Sequence, residues 1–235
     1  MKNRSCIRML VLTSLFSLFV TASMAQKGEW QLGTDVYNRY IWWGMDFGNS
    51  PSIQPSLSYT NSGFTFGAWG AYATNFDYQE TDLYVSYDIK EVVTLMVTDY
   101  FFPGGGVGNN AYFKYDEDVT GHVFEGSVIF NGMDKIPFSL SLNYNFYGAD
   151  ADNSFYAELG YGGEAKDVEY NVFIGATTGK GIYLPNGSDN FSVVNLGLSL
   201  SKAVTVTEAF SLPITASVIT NPQAQNIFFV VGFSF

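Results

Sequence analysis

The residues of this 235-residue chain that could do chemistry are few. Its only histidine is His122. Acyl transfer needs a nucleophile, a base and a third group that orients the base. The acids nearest His122 in sequence, Asp118 and Glu125, are not placed to single out a serine partner, so His122 is expected to be an exposed loop residue. Two acidic segments, "YDEDVTG" at 115–121 and "GADADN" at 148–153, offer oxygens to a hard cation such as calcium. Neither has the spacing of a calcium-binding loop, and solvated loops account for both. "PGGGVG" at 103–108 lacks the Lys-Ser/Thr of a phosphate cradle, and "NGS" at Asn186 matches a short, common glycosylation sequon. These residues imply no enzyme, no metal site and no cofactor. What remains is a different pattern: polar side chains at every second position along apolar stretches. Such spacing puts them on one face of a strand, and the elements that carry them decide what they are for.

The start of the chain does not belong to those elements. Lys2, Arg4 and Arg8 precede the apolar run from Met9 to Val20, and the small residues Ser23 and Ala25 follow it. This is a signal peptide, expected to be cut after Ala25, which leaves residues 26–235 as one mature domain. The only cysteine, Cys6, lies ahead of the cut, so the mature chain has no thiol chemistry and no disulfide. Removing three bases and no acid takes the formal net charge from −11 to −14. That balance argues against nucleic acid as a partner. Charged residues at 14% and aromatics at 17%, with 24 glycines, fit neither a disordered acidic tail nor an ordinary soluble domain.

Twelve strand candidates follow, at 30–40, 52–59, 64–73, 81–89, 92–100, 122–130, 137–147, 155–161, 168–176, 191–201, 210–218 and 227–235. The seventh is the clearest: Phe138, Leu140, Leu142, Tyr144 and Phe146 alternate with Ser139, Ser141, Asn143 and Asn145. The eleventh contains Pro213, which cannot donate to a ladder and counts against a regular central strand. The fifth, sixth and eleventh are weaker, so ten strands remain an alternative to twelve. Connections after odd-numbered strands are longer on average than those after even-numbered ones, as in bacterial up-and-down barrels. Most candidates approach the ~9–11 residues of a tilted membrane strand. Aromatics gather at both strand ends. Trp30, Tyr59, Phe64, Tyr87, Phe130, Phe138, Tyr161, Phe210 and Phe233 form one expected belt. Tyr40, Trp42, Trp43, Tyr72, Phe101, Phe102, Phe146 and Tyr147 form the other. The expected fold is all-β: a transmembrane antiparallel up-and-down β-barrel of about 12 strands.

The last strand ends in phenylalanine with apolar residues at every second position before it: Phe229, Val231, Phe233 and Phe235. This resembles the C-terminal assembly signal of bacterial outer-membrane barrels, which the barrel-assembly machinery reads. A narrower likeness lies in "NRYIWWGMDFGNSPSIQPSLSY" and "GFTFGAWGAY". Arg39, Tyr40, Gly44, Gln54, Pro55 and Trp69 resemble the pattern of the TorF-type family of porins, over residues 35–75. The chain departs from it at Trp43, where the family often has a basic residue before the glycine, so no pore charge is carried over.

By alternation the expected pore-lining set is Asp35, Tyr37, Arg39, Gln54, Trp69, Asp82, Tyr84, Asp88, Glu125, Asn143, Asn145, Glu158, Glu169 and Asn171, in which six acids face one base. An acid-rich wall favours cations. Two interiors are compatible with it: a narrow water-filled path, or a plug in which Arg39 ties several acids together. The expected function is a narrow porin or channel for small hydrophilic solutes or ions, in contact with outer-membrane lipid. The alternatives are a non-conducting barrel that acts through its external loops, and a lipid-modifying barrel enzyme.

Overall fold

The structure is a computed structural model that describes residues 28–103, 110–133, 135–184 and 189–235. The expected cut after Ala25, the sequon at Asn186 and all of "PGGGVG" beyond Pro103 lie outside the described residues. Fourteen strands follow in chain order: β1 (Glu29–Tyr37), β2 (Tyr40–Trp42), β3 (Met45–Phe47), β4 (Ser52–Asn61), β5 (Phe64–Ala73), β6 (Gln79–Ile89), β7 (Val93–Phe101), β8 (His122–Phe130), β9 (Phe138–Gly148), β10 (Phe155–Ala165), β11 (Val168–Thr178), β12 (Ser192–Thr207), β13 (Phe210–Asn221) and β14 (Asn226–Ser234). Twelve of them form one closed antiparallel barrel in sequence order, and β2 and β3 pair only with each other.

Short turns link the strands at one end of the barrel. Ser62–Gly63 and Lys166–Asp167 both have positive φ at their two residues, the backbone whose twist matches a two-residue hairpin. The longer connections, including 38–51, 102–121 and 179–191, lie at the other end. These are called the turn end and the loop end. Both termini of the barrel are at the turn end. There β14 closes on β1 through Asp35↔Ser234, Val36↔Phe233 and Tyr37↔Gly232. Beyond Tyr37 the backbone turns inward, and Asn38 continues the seam with its side chain. Its Nδ2 donates to the Phe229 carbonyl at 3.1 Å and its Oδ1 accepts from Val231 N at 2.9 Å.

The two faces of the wall differ as the alternation demands. Leu83, Val97, Val128, Leu142, Leu159, Val172, Leu198 and Val218 face out and are exposed. Ser52, Gln54, Asp82, Thr98, Ser127, Asn143, Asn195 and Ser217 face in and are buried. An apolar surface running round a closed cylinder far exceeds the few hundred Å² that soluble monomers leave bare. This is the wall of a transmembrane-type barrel. At the turn end, register pairs of outward aromatics pack with tilted rings: Trp30 with Tyr59 at 4.9 Å, Phe64 with Tyr87 at 4.5 Å, and Phe138 with Tyr161 at 5.0 Å.

Three local expectations are corrected. Strand β1 ends at Tyr37, so Tyr40, Trp42 and Trp43 are not in a loop-end belt but inside the barrel. Pro213 sits in a regular strand because it lies at the margin of the β13–β14 ladder, where a missing N–H interrupts nothing further along. It pairs with Ala203 of β12, while pairing with β14 begins only at Ile214. Strand β6 begins at Gln79, two residues before the expected start at Thr81, which brings Glu80 into the wall on the inward face.

Candidate functional site

The β2–β3 hairpin crosses the interior. Its turn is Trp43–Gly44, with φ of 50° and 79°. A bulky residue at positive φ is disfavoured, and here ring stacking holds it. Trp43 lies parallel to Tyr156 of β10, with ring centres 4.0 Å apart, and Trp42 stacks on Trp43 at 4.1 Å. Gly44 is required twice: by its φ, and because a Cβ there would stand 2.0 Å from the Val194 carbonyl oxygen of β12. Asn221 of β13 donates to the Gly44 carbonyl at 3.3 Å. On the other side Trp42 meets Tyr100 of β7 at 5.5 Å, and Tyr40 meets Trp69 of β5 at 5.4 Å. Strands β7 and β13 are opposite one another in the ring of twelve. The hairpin therefore forms a bar between facing walls, with a buried core of Tyr156, Tyr183, Leu184 and Val194 packed against Trp42, Trp43 and Met45.

The base of the bar is fixed by the one guanidinium near it. Arg39 Nη1 donates to Asp46 Oδ2 at 2.7 Å, and also to Asn49 Oδ1. The alternative in which Arg39 ties several wall acids into a plug does not hold: Arg39 is engaged within its own loop, and the groups that cross the interior are aromatic. Asn75 Nδ2 adds a bond to the Gly48 carbonyl at 2.8 Å.

Around the bar, wall carboxylates are met by tyrosine hydroxyls. Tyr78 donates to Glu80 Oε2 at 2.9 Å, Tyr100 to Glu125 Oε1 at 3.1 Å, and Tyr156 to Glu158 Oε2. Burial first, and then the charge of Glu80, pushes the phenols of Tyr40 and Tyr78 well above their ordinary value. Burial and then Glu125 do the same to Tyr183. These rings stay protonated; Tyr78 donates to Glu80, while the Tyr183 hydroxyl accepts from Asn145 Nδ2 at 3.0 Å. Tyr156 can lie against the wall because its neighbour Gly175 has no side chain: a Cβ there would be 1.9 Å from the Tyr156 hydroxyl oxygen.

The sequence-derived residues fall as follows. Asp82, Glu125, Asn143 and Asn145 are buried on the inward face near the bar, as is Gln54, which donates to Ser52 Oγ at 3.4 Å. Trp69 supports Tyr40. Tyr37, Arg39 and Gln54 border a cavity of about 220 Å³ on the turn-end side of the bar. Tyr84 lies across Gly67, Glu158 is joined by Asn195 Nδ2 at 2.8 Å, and Asp88 takes the Thr94 hydroxyl toward the turn end. Asp35 is at the seam, and Glu169 and Asn171 are inward on β11, Asn171 bordering a turn-end cavity of about 510 Å³. Above the bar, a loop-end vestibule of about 610 Å³ is lined by Trp42, Met45, Phe47, Tyr78, Phe102 and Ile182. The bar itself was missed, although "WWGM", a glycine in a two-residue turn between apolar residues, is a hairpin signal.

His122 is not an exposed loop residue; it is fully buried on the outward face of β8. The chain from Asn110 to Gly121 folds back over this face and covers it. His122 Nε2 donates to the Tyr112 carbonyl at 2.6 Å, Nδ1 lies 2.6 Å from Asp99 Oδ1, and Tyr112 donates its hydroxyl to Asp99 Oδ2 at 3.2 Å. Tyr115 stacks on the imidazole at 4.5 Å. Both ring nitrogens are engaged in a clasp, so neither faces a hydroxyl as a general base would. Among the described residues no group of three or more His, Cys, Asp or Glu is arranged around a metal position.

No protein-family model matches the chain, and no curated protein matches it. Solved structures do. A KdgM porin is 12% identical with a TM-score of 0.49, over 86% of this chain and 98% of that one. A triple mutant of the Rh. blastica porin is 11% identical with a TM-score of 0.43, over 78% of this chain and 55% of that one. A chain described under "Unveiling the Mechanism Behind the in-meso Crystallization of Membrane Proteins" is 10% identical with a TM-score of 0.45, over 87% and 83%. With identities of 12% or less and TM-scores below 0.5, none of these carries a function across to this chain.

Proposed function

We propose that this protein is a constricted channel of the bacterial outer membrane, passing ions and small hydrophilic solutes by diffusion, with cations favoured. The observation that carries the reading is the contrast between an apolar outer wall and an inner wall of amides, hydroxyls and carboxylates inside one closed ring. A polar, acid-rich interior in a closed barrel is what a water-filled path for cations requires. In this reading the loop end faces the cell exterior and the turn end the periplasm. The N-terminal segment directs export, and Phe229, Val231, Phe233 and Phe235 are read by the assembly machinery. The bar sets the narrowest point, so the unitary conductance is small. Refolded mature protein in a planar lipid bilayer tests this: discrete current steps with a reversal potential on the cation side in a salt gradient are expected.

One observation favours a second reading. The bar reaches opposite walls and packs against a buried aromatic cluster, as in a sealed barrel whose work is done by its loops. Absence of any current step from folded protein selects that reading over the channel.

A further inference from the structure

Beside the bar two neighbouring side chains each carry a buried acceptor without a donor. Glu125 of β8 and Asn145 of β9 are register partners on the inward face, and each is 1% exposed. Glu125 Oε1 takes hydrogen bonds from Tyr100 at 3.1 Å and from Ser127 Oγ at 3.0 Å, and Oε2 has none. The orientation of the Asn145 amide is set by its surroundings. Its nitrogen donates to Asp150 Oδ2 at 2.8 Å and to the Tyr183 hydroxyl at 3.0 Å, which leaves Oδ1 buried and without a donor. A buried acceptor without a donor costs about 1–3 kcal/mol, and two on register partners of adjacent strands compound that cost. Asp82 Oδ1, on the same inward face two strands away, is a third. Among the described residues no cation relieves them. Among the described residues the ion pairs are Arg39 with Asp46 and His122 with Asp99, and neither includes Glu125 or Asp82. The wall is also irregular at this point: the β8–β9 register shifts between Phe124 and Glu125, and bulges of this kind re-aim a side chain.

We infer that Glu125 Oε2 and Asn145 Oδ1 form a binding site for one monovalent metal cation inside the barrel, next to the aromatic bar. The charge count selects the class. One free carboxylate oxygen and one amide oxygen match a single charge that keeps part of its water shell. Calcium asks for about six to eight oxygens, and magnesium for a near-ideal octahedral shell in which it keeps most of its water. Asp82, two strands away, does not ligate. Trp42, tilted against Tyr100 with ring centres 5.5 Å apart, holds the phenol that orients Glu125. The site deepens the channel reading, because an ion held at the narrowest level would make current saturate with salt.

Rubidium binding to the refolded mature protein in detergent, by equilibrium dialysis with the radioactive ion, tests the site without requiring conduction. One rubidium per chain is expected, competed by sodium and potassium. Glu125→Gln, nearly the same shape, should weaken binding at least tenfold. Asn145→Asp should tighten it, and Asp167→Asn, in a turn-end turn, should leave it unchanged. Folding of each variant is checked by its heat-modifiable gel mobility. No bound rubidium in the parent protein, or equal binding in Glu125→Gln, overturns the site and leaves a water molecule as the occupant. Rubidium bound but no current steps keeps the site and removes the channel reading. Current steps without rubidium binding do the reverse.

Discussion

Replacing Trp43 by asparagine separates the bar's fold from its docking. The turn has φ of 50° and 79° at Trp43 and Gly44, and Asn-Gly is the pair best suited to that backbone. The hairpin itself should therefore survive, and its turn should be less strained. What is lost is the ring that lies parallel to Tyr156 at 4.0 Å and edge-on to Tyr183 at 5.0 Å. Each aromatic pair contributes about 0.5–1.5 kcal/mol beyond its buried area. Losing two therefore weakens docking by about 1–3 kcal/mol, roughly a five- to 150-fold shift toward the undocked hairpin. The assay is single-channel recording of parent and Trp43→Asn barrels at the same salt. More frequent or larger open states are expected in the variant. Identical conductance and open probability, with unchanged heat-modifiable mobility, would refute the idea that stacking across the interior limits passage.

Three further outcomes follow from the wall and its loops. Leu142, outward on β9 and paired with Ala157, should not tolerate arginine. Leu142→Arg is expected to cost about 2–4 kcal/mol near the bilayer midplane, read as a lower urea midpoint for folding into vesicles. Asn38→Ala removes two side-chain bonds from the β1–β14 seam, about 1–3 kcal/mol together, and should lower the temperature at which the compact gel band is lost. His122→Ala opens the clasp over β7 and β8. Trypsin should then cut after Lys114 at least about tenfold faster, as loss of a hydrogen bond to a charged group implies, while lipid A and phospholipid profiles stay unchanged; an altered lipid profile would point instead to chemistry at His122.

The wall was legible in the sequence because a period of two admits only one assignment when one face meets lipid and the other a polar interior. Strand β9 shows it best, with Leu140 and Leu142 outward and Asn143 and Asn145 inward. The bar was not legible for a physical reason. An aromatic residue at a strand end fits a membrane interface or a packed interior equally well, and composition does not separate the two. Tyr40, Trp42 and Trp43 are distinguished only by where β1 stops, and that is set by the Asn38 side chain closing the seam. His122 shares its parity with Phe124, which places it outward. Its burial depends on a loop folding back over the wall, which local periodicity does not encode. Glu80 was left in a connection because Tyr78–Glu80 reads as polar loop. Its role emerges only when the Tyr78 hydroxyl is seen to cap it.

The central claim is that hydrocarbon wets the outside of this ring and water or packed polar groups its inside. Single cysteines at positions 139–144, introduced into a mature chain that otherwise has none, can be spin-labelled one at a time in lipid vesicles. Collision with oxygen, which concentrates in lipid, is compared with collision with a water-soluble nickel reagent. Labels at 140, 142 and 144 should be open to oxygen and closed to nickel, and labels at 139, 141 and 143 should be shielded from oxygen. Strong nickel access at the even positions, or no alternation at all, would contradict the account.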